Sequence, residues 1–329
     1  MIITRTPFRI SFFGGGTDYP AWYKENQGAV LASSINKYCY ISCRYLPPFF
    51  EHKSRIVYSK TEHINEHSEI DHPSVRECLK YLNLHKGIEI HHDADVPART
   101  GMGSSSAFTV GLLNALYALQ GKMRTKRQLC LEAIHVEQDL IKENVGSQDQ
   151  TTTAFGGFNH IKFQGEHDIQ VFPLTLSKAR LGGLQNNLLL FFTGLSRTAS
   201  HIAEEQIKNI PQKKRELQIM LQIVDEAMHI LVNESGIEEF GKLLHESWEL
   251  KKTLSQQITN NVIDEIYNVA RKSGAIGGKL LGAGGGGFLL LFAEPHYHEE
   301  IKKKLSSFLH VPFAFENLGS QVIFYGPYD

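Results

Sequence analysis

Glycine is concentrated in one segment of the chain, residues 277–287, where it makes up most of the sequence GGKLLGAGGGG. A glycine loses more conformational entropy on folding than any other residue, so a run of glycines weakens regular structure. Such a run is useful where backbone must come very close to another group. The apolar residues on both sides predict two short strands around a glycine turn, packed against a ligand or another part of the protein.

Length and charge limit the classes of protein to consider. The 329 residues are enough for two modest domains, and 34 basic against 35 acidic residues leave almost no net charge. We therefore expect no nucleic-acid or membrane partner, since both require clustered positive charge. The first twenty residues do not resemble a signal peptide, which favours a cytoplasmic location. Four cysteines without metal-site spacing predict reduced, buried thiols: Cys39, Cys43, Cys78 and Cys130.

Strands and helices are interspersed in the predicted order, without the regular alternation of a doubly wound sheet. Strands are predicted over 2–13, 29–46 and 87–96, and helices over 20–28, 74–84, 104–120 and 125–142. Helices then dominate from about residue 198 to 272, broken near Pro211 and Gly236. The pattern predicts an α+β protein with two lobes, residues 1–180 and 181–329.

The sequence VPARTGMGSSSAF, residues 96–108, has the composition of a phosphate-binding loop. Gly101 and Gly103 allow a tight turn close to a ligand, and three serines follow where a helix should begin. Free N–H groups and the helix dipole attract phosphate there, and serine hydroxyls can bind phosphate oxygens or Mg²⁺. The alternative is an ordinary serine N-cap after a glycine turn. The loop is not a Walker A motif.

Two further segments carry charged residues in unusual places. Arg9 lies in a strand that is otherwise apolar, and a buried arginine requires an anionic partner. Asp18, after three glycines and Thr17, suits either hydrogen bonds to sugar hydroxyls or a simple turn. Asp149 begins a helix after a Gly-Ser break and is either a first-turn acid or a general base. Glu137, on an amphipathic helix, would by default face solvent.

Together these segments resemble the GHMP kinases, the family named for galactokinase, homoserine kinase, mevalonate kinase and phosphomevalonate kinase. PFRISFFGGGTDYP is similar to the first motif of the family, VPARTGMGSSSA to its phosphate loop PxxxGxGSSxA, and KLLGAGGGG to its third motif. The resemblance covers nearly the whole chain. It implies a two-lobed α+β fold with the active site between the lobes, and ATP and Mg²⁺ as cofactors.

The resemblance also implies a role for each matching residue. Asp149 would be the catalytic base, with Arg9 keeping it ionised, and Ser105 and Glu137 would hold Mg²⁺. The ATP phosphates would be bound by Pro97, Gly101, Met102, Gly103, Ser104, Ser105 and Ser106. The sugar would be bound by Gly15, Gly16, Thr17 and Asp18, with Gly282, Gly284 and Gly285 lining the site opposite the loop.

The expected substrate follows from one departure from the galactokinase pattern. Galactokinases have Gly-Glu-His where this chain has Gly14-Gly15-Gly16, and the triple glycine looks most like bacterial D-glycero-D-manno-heptose 7-phosphate kinases. The implied reaction is phosphorylation of the anomeric hydroxyl of a sugar phosphate. Its phosphate would need a basic pocket, and the candidates are Arg197 first, then Arg99, Lys37 and Arg44.

Alternatives remain open from the sequence alone. A kinase for an L-fucose- or galactose-like sugar would share much of the pattern, as would a regulator that binds nucleotide and sugar without catalysis. A homodimer also remains open. A zinc hydrolase built on IHHDAD is disfavoured, because adjacent His91 and His92 on a strand point to opposite faces.

Overall fold

This computed structural model describes residues 1–166, 168–195, 199–233 and 236–326. Its fold contains two β-sheets whose strands pair mostly in antiparallel orientation. The first sheet contains eight strands of the described chain. They are β1 (Ile2–Phe13), β2 (Gly28–Tyr45), β3 (Ser54–Val57), β4 (Thr61–Ile64), β5 (Ile88–Ala94), β6 (Phe158–Gln164), β7 (Asp168–Pro173) and β12 (Gln321–Tyr325). The second sheet has the order β11-β8-β10-β9 and contains β8 (Leu188–Phe192), β9 (Ala275–Leu280), β10 (Phe288–Ala293) and β11 (Leu309–His310).

The 18-residue strand β2 organises the first sheet. It pairs with β1 along most of its length, with β6 through its first third, and with β5 through its last third. The register of β1 against β2 shifts between Pro7 and Arg9 and again between Ser11 and Phe13. Such irregularities redirect side chains, and these two flank the strand position of Arg9.

Helices surround the two sheets. Those from the first half of the chain are α1 (Pro20–Tyr23), α2 (Pro73–Tyr81), α3 (Ser104–Leu119), α4 (Lys126–His135) and α5 (Gln148–Phe155). Those from the second half are α6 (Lys178–Asn186), α7 (Ala199–Asn209), α8 (Lys214–Val232), α9 (Glu238–Lys252), α10 (Asn261–Lys272) and α11 (His298–Lys304). Short 3₁₀ turns lie at His67–Glu69, Ile210–Gln212 and Pro295–Tyr297, and a π-helical turn at Val136–Leu140. No helix within the described ranges has the length and apolarity needed to cross a membrane.

Helix α3 is apolar around nearly its whole circumference, and such a helix belongs in a protein core. It packs on β1 and β2 and has twelve buried residues, from Ser106 to Ala118. This packing fixes the position of its N-terminus, where the predicted phosphate loop ends. The helix that follows the loop is therefore a rigid support.

The structure confirms the α+β class and most of the predicted elements, with informative differences. The helix predicted over 20–28 ends at Tyr23, because Gly28 begins β2. A Cβ atom at Gly28 would lie 2.0 Å from the carbonyl oxygen of Thr17, so this glycine permits close packing and does not end a helix. The β3–β4 hairpin was not predicted. All four cysteines are buried and unpaired, as expected.

The end of the chain returns to the first sheet. Strand β12 pairs with β1 in antiparallel register, Ile2 opposite Tyr325. The predicted second lobe, 181–329, thus contributes an edge strand to the sheet that contains Arg9. The division of the chain at residue 180 stays a prediction.

Candidate active site

A cavity lies where β1, the glycine turn after it, the N-termini of α3 and α5, the end of α9 and the β9–β10 turn meet. It brings together most of the site residues predicted from the sequence. Those lining it are Arg9, Gly15, Gly16, Asp18, Gly101, Gly103, Ser104, Ser105, Ser106, Asp149 and Gly282.

Arg9 and Asp149 form a bidentate ion pair at the centre of the cavity. Arg9 Nε donates to Asp149 Oδ1 at 2.6 Å, and Nη2 donates to Oδ2 at 2.8 Å. The third nitrogen, Nη1, donates to the carbonyl oxygen of Gly101 at 2.8 Å. Arg9 is 2% exposed whereas Asp149 is 26% exposed. The buried arginine therefore fixes both the carboxylate and the phosphate loop, and leaves part of the carboxylate open to the cavity.

The Gly-Ser break before Asp149 has a steric reason. A Cβ atom at Gly146 would lie 1.9 Å from Asp18 Oδ2, so only glycine leaves room for that carboxylate. Ser147 N–H donates to the carbonyl oxygen of Asp18 at 2.9 Å. The loop before α5 and the loop after β1 are thus locked together, and this brings the two acidic side chains to the same cavity.

Asp18 is buried and accepts a hydrogen bond from Gly16 N–H at 2.9 Å. Burial raises the pKa of its carboxyl group, and the negative charge of Asp149 raises it further. Thr17 does not line the cavity. Its hydroxyl oxygen lies 2.8 and 2.9 Å from the carbonyl oxygens of Gly14 and Ala29, which share its one proton and close the turn. Its assignment to substrate binding stays a prediction, and its observed contacts are structural.

The phosphate loop presents backbone to the cavity. Gly101 and Gly103 have positive φ values of 81° and 72°, which side-chain-bearing residues rarely adopt. The N-cap of α3 is Gly103, with no side-chain cap, so the serine N-cap alternative is wrong. The first N–H groups of α3 therefore remain available for an anion at the positive end of the helix dipole.

Two residues of the predicted phosphate loop do not face the cavity. Met102 is fully buried, and its carbonyl oxygen accepts the backbone N–H of Arg9 at 3.1 Å. Pro97 is exposed, and its carbonyl oxygen accepts the hydroxyl of Thr100 at 2.8 Å. Both hold the loop in shape, and neither side chain lines the cavity.

Glu137 is fully buried, so the default expectation that it faces solvent is wrong. It lies in the π-helical turn, where the extra residue rotates the side chain towards α3. Ser106 Oγ donates to Glu137 Oε2 at 2.8 Å, and Gln150 Nε2 donates to the same oxygen. Burial raises the pKa of Glu137 to about 7. Oε1 has no partner among the described residues.

The fit of this region to Mg²⁺ follows from its donor atoms. The Glu137 carboxylate and the Ser106 hydroxyl are oxygen donors of the kind that Mg²⁺ prefers, usually with several waters retained, but Glu137 is fully buried and does not line the cavity. The serine that contacts Glu137 is Ser106, whereas Ser105, the predicted metal ligand, is exposed. No group of three or more His, Cys, Asp or Glu suited to a metal occurs in the described part of the chain. The donor atoms are of the right kind, but Ser105 lines the cavity and Glu137 does not, so a metal shared between them stays a prediction.

Two buried lysines in the cavity were missed from the sequence. Lys251, near the end of α9, is 4% exposed and donates to the carbonyl oxygen of Gly282. Lys279, in β9, is 2% exposed and donates to the carbonyl oxygen of Phe12 at 2.8 Å. Burial lowers the pKa of Lys251 to about 8, and that of Lys279 well below its ordinary value. The sequence could have identified Lys279 by the feature that identified Arg9, a single charged residue in an otherwise apolar strand.

The glycine-rich turn between β9 and β10 packs backbone against backbone. A Cβ atom at Gly282 would lie 2.5 Å from the Cα of Gly101, and one at Gly287 would lie 2.2 Å from the carbonyl oxygen of Thr100. Gly284 and Gly285 do not line the cavity: both pack on Ile258, whose carbonyl oxygen accepts Gly285 N–H at 2.9 Å. Of the two explanations left open by the sequence, close packing against other chain segments is observed here.

The basic candidates for a substrate phosphate are dispersed. Arg99 lines the cavity next to the phosphate loop. Arg44 pairs with Glu89 at 2.8 Å, and neither it nor Lys37 lines the cavity. Arg197 lies outside the described residues.

Comparison with known proteins agrees with this geometry. Residues 73–157 match the GHMP kinases N terminal domain, and residues 228–311 match the GHMP kinases C terminal domain. A D-glycero-alpha-D-manno-heptose 7-phosphate kinase from Campylobacter jejuni is 27% identical over 311 residues, covering 89% of this chain and 90% of that protein. A bifunctional fucokinase/GDP-fucose pyrophosphorylase from Arabidopsis thaliana is 24% identical, covering 91% of this chain but only 30% of the relative.

Among solved structures, a D-glycero-D-manno-heptose 1-phosphate kinase from Bacteroides thetaiotaomicron superposes with a TM-score of 0.81. The superposition covers 98% of this chain and 99% of the other at 22% identity, so it supports the fold. The two matched domains together contain the phosphate loop, Glu137, Asp149, Lys251 and the glycine-rich turn. The chain belongs to the GHMP kinases.

Proposed function

We propose that this protein transfers the γ-phosphate of ATP to the anomeric hydroxyl of a sugar phosphate, D-glycero-D-manno-heptose 7-phosphate, and releases the 1,7-bisphosphate. The observation that carries the proposal is the position of Asp149. Its carboxylate is held by two hydrogen bonds from Arg9, and a Cβ atom at Gly103 of the phosphate loop would lie 3.4 Å from it. A base at that place lies beside the loop expected to hold the triphosphate.

The roles of the residues follow from their contacts. The N–H groups at the start of α3 bind phosphate oxygens, and Asp149 accepts the proton of the attacking hydroxyl as transfer proceeds. An anomeric hydroxyl is more acidic than an ordinary alcohol, so a carboxylate suffices as base. Arg9 orients Asp149 through its two parallel hydrogen bonds. Asp18 accepts a hydrogen bond from a sugar hydroxyl.

Glu137 and Ser105 are the residues proposed to hold Mg²⁺, together with ATP oxygens. When bound, the ion would neutralise charge on the β- and γ-phosphates. Ser106 orients Glu137 through its hydrogen bond at 2.8 Å.

The 27% identical heptose kinase supports the choice of substrate, and the fucokinase relative supports an alternative, a kinase for an L-fucose-like sugar. A regulator without catalysis is a weaker alternative, because a binding protein has no need of a base. The test is ³¹P NMR of the products formed from ATP, Mg²⁺ and each of three sugars: heptose 7-phosphate, L-fucose and galactose. A new anomeric phosphate signal from the heptose phosphate supports the proposal. Transfer only to an unphosphorylated sugar, or none at all, contradicts it.

A further inference from the structure

Lys251 and Lys279 are two buried lysines that the mechanism above does not use. They enter the cavity from different elements, α9 and β9. As ammonium groups they carry three N–H donors each, and each donates one hydrogen bond within the described protein, to Gly282 and Phe12. Buried donors without acceptors are costly, so the remaining donors indicate a ligand that supplies oxygen atoms.

The charges around the lysines do not balance. The charged groups that act on them are Arg9, Asp18 and Asp149, besides each other. Arg9 and Asp149 neutralise each other in their bidentate pair. Among the described residues, Asp18 is then the one acidic group left to face two lysines, so the protonated cluster has one positive charge in excess, which an anionic ligand would neutralise.

The two lysines lie at the end of the cavity where the acceptor sugar is proposed to bind. Lys279 contacts the carbonyl oxygen of Phe12, next to Ser11 and just before the Gly15–Asp18 turn proposed to hold the sugar. Ser11 lines the cavity, is 4% exposed, and its hydroxyl has no partner among the described residues. Ser11 and Arg9 lie on the same face of β1 because side chains alternate along a strand. A second unsatisfied donor therefore lies near the lysines.

We propose that Lys251, Lys279 and Ser11 bind the phosphate monoester of the acceptor and so select phosphorylated over unphosphorylated sugars. This rests on the proposed function, since it assumes that the acceptor occupies the Gly15–Asp18 end. It assigns the phosphate site to two buried lysines in place of the basic candidates named from the sequence. The low dielectric of a buried site makes such contacts strong and selective.

The first experiment compares binding without ATP, by calorimetry, of heptose 7-phosphate and the unphosphorylated heptose. Wild-type protein should bind the phosphorylated sugar at least about 100-fold more tightly, and Lys251→Met and Lys279→Met should each reduce that ratio at least about tenfold. Lys252→Met is the matched control, because the neighbouring Lys252 pairs with Glu249 at 2.8 Å on the helix surface and should leave the ratio unchanged. Equal losses for both sugars would overturn the inference.

Stability separates a binding role from a structural one. Each methionine variant relieves repulsion between the two lysines but leaves one backbone carbonyl oxygen, of Gly282 or Phe12, without its donor. Because these two effects oppose each other, both variants should keep a melting temperature close to that of the wild type while losing selectivity. A lower melting temperature with an unchanged binding ratio would assign the lysines to the fold alone and contradict the proposal.

A third measurement needs no variant. Burial lowers the pKa of Lys251 to about 8 and lowers that of Lys279 well below its ordinary value, so part of their charge is lost as the pH rises through about 8, and an arriving phosphate should restore it. Calorimetry in buffers of different ionisation enthalpy should show net proton uptake for heptose 7-phosphate and none for heptose. No uptake would overturn the inference.

The two proposals fail separately. Selective binding that depends on the lysines, without phosphate transfer to either sugar, would reject the proposed reaction and keep the phosphate site. Transfer to heptose 7-phosphate by variants that keep the wild-type preference would keep the reaction and reject the site.

Discussion

Arg9 and Asp149, from a strand and a helix 140 positions apart in sequence, share two parallel hydrogen bonds of 2.6 and 2.8 Å. The same guanidinium also binds the carbonyl oxygen of Gly101 in the phosphate loop. One side chain thus sets the position of the proposed base relative to the proposed triphosphate site. Positioning of this kind is the main contribution a protein makes to phosphoryl transfer.

Asp149→Asn should abolish turnover and spare nucleotide binding. The amide keeps the size of the carboxylate but accepts no proton, so kcat should fall by about 10²–10⁴-fold. The measurements are kcat by coupled assay and the Kd of a non-hydrolysable ATP analogue by calorimetry. Near-normal turnover would remove Asp149 from its role as base.

Arg9→Lys tests the bidentate geometry, because lysine keeps the charge and cannot form two parallel hydrogen bonds with one carboxylate. We expect kcat to fall by about 10²-fold, with little change in the melting temperature of the protein. Arg5→Lys is the control on the same strand, since Arg5 contacts Gln321 at 3.2 Å, away from the cavity. Equal kcat values for the two variants would show that charge alone matters.

Gly282→Ala should separate the glycine-rich turn from the phosphate loop. The added Cβ atom would lie 2.5 Å from Gly101 Cα, and φ is +75° at this position. We expect the free energy of unfolding to fall by about 2–3 kcal/mol and ATP affinity to fall with it. Gly183→Ala, in α6 with open space around it, should instead raise stability by about 0.5–1 kcal/mol. Urea unfolding of the two variants checks both expectations.

Ser105→Ala and Ser106→Ala should have different effects. Ser106 donates to the buried Glu137, and its loss should lower the free energy of unfolding by about 1–3 kcal/mol. Ser105 is exposed, so its loss should leave stability unchanged and weaken binding of ATP in the presence of Mg²⁺. Urea unfolding and nucleotide titrations with and without Mg²⁺ distinguish these effects. Equal stability losses would contradict the division of roles.

Activity with a phosphorylated acceptor should fall on the alkaline side. Burial lowers the pKa of Lys251 to about 8. The side chain is therefore fully protonated well below that pH and loses its proton as the pH rises through about 8. A profile of kcat/KM against pH reports groups of the free enzyme, and should show this alkaline limb. Lys251→Arg should remove the contribution of Lys251 to this limb and leave that of Lys279, whose pKa burial also lowers. A profile identical to that of the wild type would exclude Lys251 as a contributor.

The structure brings residues with strong local sequence signals to one cavity. Arg9 in an apolar strand and the serines after Gly103 both line the cavity, because strand periodicity and a helix start fix their directions. The GHMP family and the α+β class were likewise predicted from motifs and element order, and both are confirmed.

Other features depend on geometry that no local pattern encodes. Glu137 faces inward because of a π-helical turn, and a regular helical period gives no indication of one. Lys251 occupies an ordinary position in an amphipathic helix, and only the packing of α9 on β9 brings it to the cavity. Gly284 and Gly285 looked like ligand-facing glycines, yet their close neighbour is Ile258, 26 and 27 positions earlier in the chain.

A crystal structure of the protein with a non-hydrolysable ATP analogue, Mg²⁺ and the sugar phosphate would show directly whether Asp149 faces the reacting groups. We expect the triphosphate on the N–H groups of Gly103 to Ser106, with the anomeric hydroxyl between the γ-phosphate and the Asp149 carboxylate. A nucleotide bound elsewhere, or an acceptor hydroxyl beyond hydrogen-bonding distance of Asp149, would contradict this expectation.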